Sequence, residues 1–383
     1  MELAFEKGFG LVDRLVGAPE QSLDLSICEN AGSRDRAFFV FLPPPCGEGK
    51  GLRRRHVDVD SSAADIPGMA VLLLGSTGFI GPRIVHALEA LGVEVVAASR
   101  GGHGPNAVAL DRGDVAQVRA LVRERRIHAV VDLLAFTEAD TLPLLDALDG
   151  QVERWVMASS CDVYRNYEGL QRKAGPDPLL EPATEASPLR TTRHPYRTAP
   201  PRARDATEAW MDDYDKIPLE EALRARPGLS GVILRLPMVF GPGDRQQRFR
   251  WITAPMQAGK AQLAVNSAWA GWRTTYGYVD DVAHALAAAS RHPAAAGRTF
   301  NLGELNAPDH MTWIGRFAGV LGWRGDVVEA PATDPLAALD LSYPMVCDTS
   351  AFRNACGWRE PTAPEEALLR TAADEQRRQG SNA

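Results

Sequence analysis

The chain has 383 residues, of which 24% are charged and 45% are apolar, and its formal net charge is -7. This composition is typical of a folded, water-soluble protein, and the net negative charge excludes a nucleic-acid binder that works by general electrostatic attraction. Five scattered cysteines show no paired metal-ligand spacing, so no metal site is predicted and reduced thiols are expected. We find no apolar run near the roughly 18 residues of a membrane span and no signal peptide. We therefore expect a cytoplasmic protein that binds neither nucleic acid nor membrane.

The first 68 residues differ in character from the rest of the chain. They contain an apolar run at 38–42, three prolines at 43–45 and a basic run at 53–56. No helical or strand period persists there, and Met69 immediately precedes the first clear strand. We interpret residues 1–68 as a poorly ordered extension that reflects an early start codon. An accessory subdomain or an oligomer arm is the alternative.

A strand, a glycine turn and a helix follow one another from residue 69 onward. An apolar run ends at Gly75, and Gly75, Gly78 and Gly81 form a G-x-x-G-x-x-G spacing before a helical apolar face. In a phosphate-binding βα unit the first glycine permits the turn, the second lets a pyrophosphate approach and the third lets helix and strand pack. The pattern predicts a dinucleotide site at a helix N-terminus. The predicted contacts here are Gly75, Thr77, Gly78, Phe79, Ile80 and Gly81.

Alternating strands and helices after residue 69 predict a parallel sheet covered on both faces. Strands are predicted at 93–98, 107–110, 128–134, 154–159 and 231–235. The second strand ends in Ser99 and Arg100 without the acidic residue that would hold a ribose 2′-hydroxyl, which favours NADP over NAD. The alternative is that Arg100 is a solvated loop cation. Asp111 is a candidate acceptor for the adenine amino group. The other predicted coenzyme contacts are Arg112, Leu134, Ala135 and Pro237.

Further motifs follow in a fixed order. They read Ser-Ser-Cys-Asp-Val-Tyr at 159–164, Thr-Glu-Ala-Ser-Pro-Leu at 184–189, Arg-Leu-Pro-Met-Val-Phe-Gly-Pro-Gly at 235–243, Tyr-Val-Asp-Asp-Val-Ala at 278–283 and Phe-Asn-Leu-Gly at 300–303. With the glycine turn, this set resembles the NAD-dependent epimerase/dehydratase family, the extended short-chain dehydrogenases/reductases, over about residues 69–376.

The resemblance implies the architecture and the class of ligand. We expect an α/β fold with a Rossmann-type doubly wound parallel sheet and a smaller C-terminal substrate lobe drawn mainly from 241–376. Residues 377–383 form a polar tail. The implied ligands are a nicotinamide coenzyme and a small polar substrate such as a nucleotide sugar, and a homodimer is the expectation at the level of the fold.

The resemblance also implies a catalytic serine and tyrosine, which match Ser160 and Tyr214. In the family a lysine four residues after the tyrosine lowers the phenol pKa, which is otherwise near 10. Here that position is Pro218, and the nearest cation is Lys216. Because proline is tolerated in a first helical turn, Tyr214 and Lys216 can lie just before the helix. Either Lys216 replaces the missing lysine, or the redox step is altered or lost. Tyr214 as a buried aromatic at a helix start is the structural alternative.

Asp162 is a separate catalytic candidate. The family's sugar dehydratases use an Asp-Glu pair after the serine or threonine, and here Cys161 and Asp162 take those two positions. A single carboxylate disfavours standard dehydratase chemistry. Asp162 is therefore either a proton-transfer group or a pocket residue that binds backbone N–H groups.

An unusually long connection, residues 165–213, is rich in proline and arginine. Such loops are typically lids, binding loops or disordered stretches, and its arginines could hold a diphosphate. A solvated, mobile insertion is the alternative. The candidate substrate ligands in the C-terminal part are Arg245, Arg273 and Tyr276.

Two functions stay open. The first is an NAD(P)-dependent enzyme that oxidises, reduces or epimerises a hydroxyl or carbonyl of a nucleotide-sugar-like or other polar metabolite. The second is a redox-silent dinucleotide-binding sensor or scaffold, which the loss of the i+4 lysine favours.

Overall fold

A computed structural model describes residues 69–102, 107–172, 177–332 and 334–381. The prediction for residues 1–68 lies outside this part of the chain. The strands are β1 (Ala70–Leu74), β2 (Glu94–Ser99), β3 (Ala107–Ala109), β4 (Ile127–Asp132), β5 (Arg154–Ser160), β6 (Ser230–Leu236), β7 (Met238–Phe240), β8 (Gln262–Val265), β9 (Tyr276–Tyr278), β10 (Thr299–Asn301) and β11 (Asp326–Glu329).

Helices alternate with these strands through most of the chain. They are α1 (Gly81–Ala90), α2 (Val115–Glu124), α3 (Glu138–Leu148), α4 (Asn166–Leu170), α5 (Lys216–Arg224), α6 (Arg250–Gln257), α7 (Ser267–Gly271), α8 (Val279–Ala289), α9 (His310–Leu321), α10 (Asp334–Ala337), α11 (Ser350–Cys356) and α12 (Pro364–Ser381). Short 3-10 turns occupy Cys161–Val163, Ala209–Asp212 and Pro293–Ala295.

Seven strands form one sheet in the order β10-β6-β5-β4-β1-β2-β3. Every pairing in it is parallel. The chain moves outward from β1 to β2 and β3, and then returns to the other side of β1 at β4. The strand order therefore reverses between β1 and β4, where doubly wound folds bind ligands beyond the carboxyl ends of the strands. The predicted doubly wound parallel sheet is confirmed.

The central strand β1 is buried on both faces because helices cover both sides of the sheet. Val71 and Leu73 belong to the apolar cluster that contains Ile84 and Leu88 of α1. The residues alternating with them belong to a second cluster on the opposite face, which includes apolar side chains of α2 and α3. A continuous apolar strand is typical of such a two-sided core. The helical face predicted after the glycine turn is thus the face that packs.

The C-terminal half adds two small parallel ladders, β7–β9 and β8–β11, beside the main sheet. The last helix, α12, extends to Ser381, so it runs into the stretch that the sequence predicts as a polar tail. Among the described residues, no helix combines the length and apolar character that crossing a bilayer requires.

Candidate active site

The turn after β1 has the geometry that its glycine spacing predicts. Gly75 has a φ of +96°, which favours glycine. A Cβ atom on Gly81 would lie 2.3 Å from the main-chain oxygen of Gly75, so α1 packs on the turn only because Gly81 has no side chain. A Cβ on Gly78 would lie 3.6 Å from that same oxygen, an ordinary contact. The protein itself therefore does not require glycine at position 78, which is consistent with space kept for a ligand.

A cavity of about 300 Å³ opens beyond this turn, between the carboxyl ends of β1, β2 and β4. It lies at the reversal of strand order and beside the N-terminus of α1, where the positive end of the helix dipole favours an anion. The cavity therefore fits a dinucleotide with its pyrophosphate on the glycine turn. The predicted coenzyme contacts that line it are Gly75, Thr77, Gly78, Phe79, Ile80, Ser99, Arg100, Asp111, Arg112 and Leu134.

Two of the predicted coenzyme ligands have different surroundings. Arg112 is buried, and its guanidinium donates to Asp132 at 2.8 Å and to the carbonyl of Leu134 at 2.7 Å. This pairing fixes the end of β4, so the Arg112 charge is directed into the protein. Arg100, in contrast, is an exposed cation at the rim of the cavity.

Ser160, Asp162 and Tyr214 meet beyond the end of β5. The phenolic hydroxyl of Tyr214 donates to Oδ2 of Asp162 at 3.0 Å. Ser160 Oγ accepts from the Asp162 amide at 3.2 Å, which begins the short turn after the strand. The ring of Tyr214 packs 6.3 Å from that of Phe136, which lines the coenzyme cavity. Serine and phenol therefore lie on the same side of the crevice.

Lys216 has a different place from the one expected of a catalytic lysine. It is the first residue of α5, after the N-cap Asp215, and Pro218 sits in the first turn, where no N–H is needed. Its Nζ donates to the carbonyls of Ala135 and Ala158 at 2.5 and 2.9 Å. Helical side chains tilt toward the N-terminus, so Lys216 runs beneath the tyrosine and joins the ends of β4 and β5. Burial lowers its pKa to about 8.

The protonation of this site follows from its burial. Burial and the nearby Asp162 carboxylate raise the pKa of Tyr214 well above its usual value. Burial also raises the pKa of Asp162, against the opposing effects of Arg190 and of its two phenol donors. At neutral pH Tyr214 is therefore a protonated phenol, which suits it to donate a proton rather than to accept one.

The insertion (residues 165–213) supplies a site residue that the sequence did not indicate. Tyr196 donates its hydroxyl to Oδ2 of Asp162 at 2.8 Å, and its ring lies 5.1 Å from that of Tyr214. Trp210 packs against Tyr214 from the same insertion. Tyr196 is far from Asp162 in the sequence and lies in a stretch with no helical or strand period. No sequence pattern therefore indicates it as a site residue.

Four arginines of the insertion are paired with acidic residues of the insertion or of the N-terminus of α5. Arg190 and Arg193 contact the two oxygens of Asp215 at 2.5 and 2.7 Å. Arg197 pairs with Asp213, and Arg202 pairs with Asp212. These carboxylates occupy the guanidinium groups within the protein, so the ion pairs add no support to a diphosphate grip, which stays a prediction.

The predicted substrate ligands of the C-terminal part lie in separate surroundings. Tyr276 is buried among aromatic rings, and its hydroxyl is 3.0 Å from Nε2 of His310. Arg273 donates to the carbonyl of Ala307 and lines another depression, while Arg245 is exposed. Tyr276 is thus a core residue in this structure.

Comparisons with known proteins agree with this geometry. The model of the NAD dependent epimerase/dehydratase family matches residues 71–303. The 2′-dehydrokanamycin reductase of Streptomyces kanamyceticus is 30% identical over 274 residues, which cover 61% of this chain and 68% of that protein.

Two other similarities carry less information about function, one because it covers a short segment and the other because its sequence identity is low. A formate-dependent phosphoribosylglycinamide formyltransferase of Burkholderia vietnamiensis is 34% identical over 110 residues, so this chain spans only 27% of that protein's length. A UDP-glucose 4-epimerase of Thermus thermophilus, solved with NAD, has a TM-score of 0.56 and 23% identity, and it covers 80% of this chain and 99% of its own. At that identity the likeness shows the fold alone.

Proposed function

Since this chain belongs to the NAD dependent epimerase/dehydratase family, we propose that it is an NAD(P)-dependent oxidoreductase that reduces a carbonyl group of a polar metabolite to a hydroxyl group. One arrangement carries the proposal: the Tyr214 hydroxyl donates to Asp162 Oδ2 at 3.0 Å and the Asp162 amide donates to Ser160 Oγ at 3.2 Å, which brings the phenol and the serine together next to Phe136 of the coenzyme cavity. A carbonyl oxygen placed between them would receive a hydrogen bond from one and a proton from the other.

The chain's own residues divide the work between binding and proton transfer. The glycine turn and the start of α1 would hold the coenzyme, which supplies or accepts a hydride when it is bound. Ser160 orients the substrate oxygen and is half-buried, so it remains accessible from the crevice. Tyr214 supplies the proton, and Phe136 keeps its ring at the inner wall of the cavity.

The state of Tyr214 supports reduction as the direction that we propose. A phenol with a raised pKa holds its proton at neutral pH, and among the described residues no ammonium donates to its oxygen, since Lys216 donates to two carbonyls instead. A proton donor serves reduction of a carbonyl, whereas oxidation needs a base. The name of the related reductase supports the same direction.

NADP(H) is the proposed coenzyme. Arg100 follows β2 at the rim of the cavity and is exposed, and Ser99 rather than an acidic residue ends the strand. A guanidinium at this position suits a 2′-phosphate, which an acidic residue would repel.

For the substrate we propose a sugar-like carbonyl compound, with nucleotide sugars included. The support is the activity for which the related 2′-dehydrokanamycin reductase is named. We also propose that the protein acts in the cytoplasm on this small molecule, without nucleic acid or membrane, and that it forms a homodimer.

The test uses the full purified chain. Oxidation of NADPH and NADH is followed by absorbance across a panel of keto-sugars, keto-aminoglycosides and nucleotide keto-sugars. Tyr214→Phe and Ser160→Ala should lose ~10²-fold or more in kcat while coenzyme still binds. Tyr343→Phe, which changes a tyrosine outside the site, is the matched control. Turnover that survives Tyr214→Phe unchanged would refute the assigned proton donor.

A second candidate function is redox-silent dinucleotide binding. The observation that favours it is the position of Lys216, whose ammonium is held by the carbonyls of Ala135 and Ala158 rather than by the phenol. Tight retention of NADP(H) with no turnover on the entire panel would support this function over the first.

A further inference from the structure

Asp162 Oδ2 accepts hydrogen bonds from two phenols, Tyr214 at 3.0 Å and Tyr196 at 2.8 Å. The residue is fully buried and lies two positions after Ser160, in the turn Cys161–Val163. Its other oxygen, Oδ1, is buried and has no hydrogen-bond partner in the part of the chain that the structure describes. A buried carboxylate shared by two phenols is a place where a proton can be stored and passed on.

We propose that Asp162 is the proton reservoir of this active site, and that protons pass from Asp162 to Tyr214 and from Tyr214 to the substrate oxygen. The inference rests on the proposed function, because it assumes that Tyr214 protonates a carbonyl oxygen. It also explains how the site works although, among the described residues, no ammonium donates to the phenol oxygen.

The relay is balanced in each direction. During reduction, the carboxylic O–H bond of Asp162 breaks and an O–H bond forms on the Tyr214 oxygen. In the same step the original phenolic O–H bond breaks and its proton joins the substrate oxygen, whose carbon receives the hydride. Tyr214 ends neutral and Asp162 ends as a carboxylate, which is the arrangement in which both phenols donate to Oδ2. Oxidation of the alcohol runs these transfers backward.

Electrostatics favour a relay over a lone tyrosine. If Tyr214 gave up its proton without replacement, a phenolate would stand beside a carboxylate whose oxygen is 3.0 Å away in a buried site. Two like charges at that distance strongly oppose one another in a medium of low dielectric constant. When Asp162 instead begins as the protonated acid and passes its proton to Tyr214, the phenol stays neutral and only the charge of the resulting carboxylate remains.

Tyr196 stabilises the Asp162 carboxylate, which is the form left after proton transfer. Its hydroxyl provides a second hydrogen bond to the Asp162 carboxylate, and Arg190 lies close by, donating to the Asp162 main-chain carbonyl at 3.1 Å. Both groups favour the charged carboxylate, whereas burial favours the protonated acid. The titratable and charged groups that face Asp162 are Arg190 and Tyr196 from the insertion, Tyr214 and Lys216 at the start of α5, Tyr167 of α4 and the adjoining Cys161.

A pH dependence of defined sign follows. Reduction requires protonated Asp162, so kcat for reduction should fall as pH rises through the pKa of this group, which burial raises. Removing the Tyr196 hydroxyl removes a hydrogen bond that lowers that pKa. The falling limb of the profile should then move to higher pH in Tyr196→Phe.

The experiment compares full-length wild type, Asp162→Asn, Tyr196→Phe and the exposed control Asp205→Asn with the substrate found in the screen above. Asp162→Asn should lose ~10²-fold or more in kcat, with little change in the dissociation constant for NADPH. Its pH profile for reduction should also lack the falling limb. Tyr196→Phe should displace the falling limb of the pH profile to higher pH. The carboxyl ¹³C resonance of Asp162, assigned by its loss in Asp162→Asn, should titrate above those of exposed aspartates.

Each outcome bears on one of the two proposals. Wild-type turnover with an unchanged kcat and pH profile in Asp162→Asn overturns the relay and leaves the oxidoreductase intact. An Asp162 resonance that titrates like those of exposed aspartates also overturns it. Absence of turnover in the wild type overturns the proposed function, and the relay with it.

Discussion

The ammonium of Lys216 lies over the face of the Tyr214 ring, 5.5 Å from its centroid, while the phenolic hydroxyl donates to Asp162. The same ammonium is 4.6 Å from the centroid of the Phe136 ring. Lys216 is thus enclosed by aromatic faces and two carbonyls. Lys216 lies two residues after the tyrosine and begins α5, so its side chain extends along the face of the Tyr214 ring toward the sheet.

This enclosure has a thermodynamic consequence. Burial lowers the Lys216 pKa in the folded protein to about 8 from 10.5, so between these values the unfolded chain binds more protons than the folded one. The free energy of unfolding should therefore rise with pH over this window, by at most about 3 kcal/mol. Lys216→Met should lose that rise. Urea unfolding of both proteins at a series of pH values measures it, and parallel curves would contradict it.

The two glycines of the coenzyme turn should respond differently to a methyl group. Gly81→Ala places a Cβ 2.3 Å from a backbone oxygen, and we expect a loss of about 1–3 kcal/mol in the free energy of unfolding. Gly78→Ala meets only an ordinary contact in the protein, so its thermal stability should match wild type while NADPH binding weakens. Thermal melts and calorimetric titration distinguish the two. Equal melting temperatures for both variants would refute the close-packing argument.

The role proposed for Arg100, the exposed cation after β2, can be tested by measuring coenzyme preference. Arg100→Ala should raise KM for NADPH ~10-fold or more, since a charge-assisted contact with the 2′-phosphate is worth about 1.5–3 kcal/mol. KM for NADH should hardly change. Arg119→Ala alters another exposed arginine, on α2, and serves as the control. If Arg100→Ala affects both coenzymes alike, the NADP preference has another source.

Beneath the site, Arg235 and Glu220 form a buried two-point ion pair, with N–O distances of 3.0 and 2.7 Å. Ser159 donates to the same carboxylate at 2.6 Å, which joins α5 to β5 and β6. Glu220→Ala leaves Arg235 unpaired in the interior and should cost about 3–5 kcal/mol of stability. The exposed neighbour Glu221→Ala should cost almost nothing.

The same pair predicts that the free energy of unfolding decreases at acidic pH. Despite burial, Arg235 and Ser159 lower the pKa of Glu220, so its contribution is present at neutral pH and is lost as pH falls through the folded-state pKa. Chemical denaturation of wild type and Glu220→Gln across the acidic range measures this loss. A wild type that weakens no faster than the variant would argue against the pair.

Much of the coenzyme half could be predicted because its signals are local. The turn from Gly75 to Gly81 depends on contacts within seven residues, and each apolar strand is predicted from its own residues alone. Lys216 shows where local reasoning ends: the sequence gives its spacing from Tyr214, but only the packing of α5 on the sheet sets its direction.

The insertion illustrates the same limit over a longer range. Tyr196 meets Asp162 across 34 positions, through a stretch with no period to indicate which side chains turn inward. The pairing of Arg190 with Asp215 likewise depends on tertiary contact. A basic stretch with nearby acidic residues does not reveal in advance whether its charges face a ligand or one another.

The ion pairs of the insertion have a bearing on how a substrate reaches this site. Because Arg190, Arg193, Arg197 and Arg202 pair with Asp212, Asp213, Asp215 and Glu138, the part of the insertion that covers Tyr214 carries little unbalanced charge and generates only a weak long-range field. Substrate capture through it would then rely on the fit of a ring against Tyr196 and Trp210 rather than on electrostatic steering, and its association rate would vary little with ionic strength.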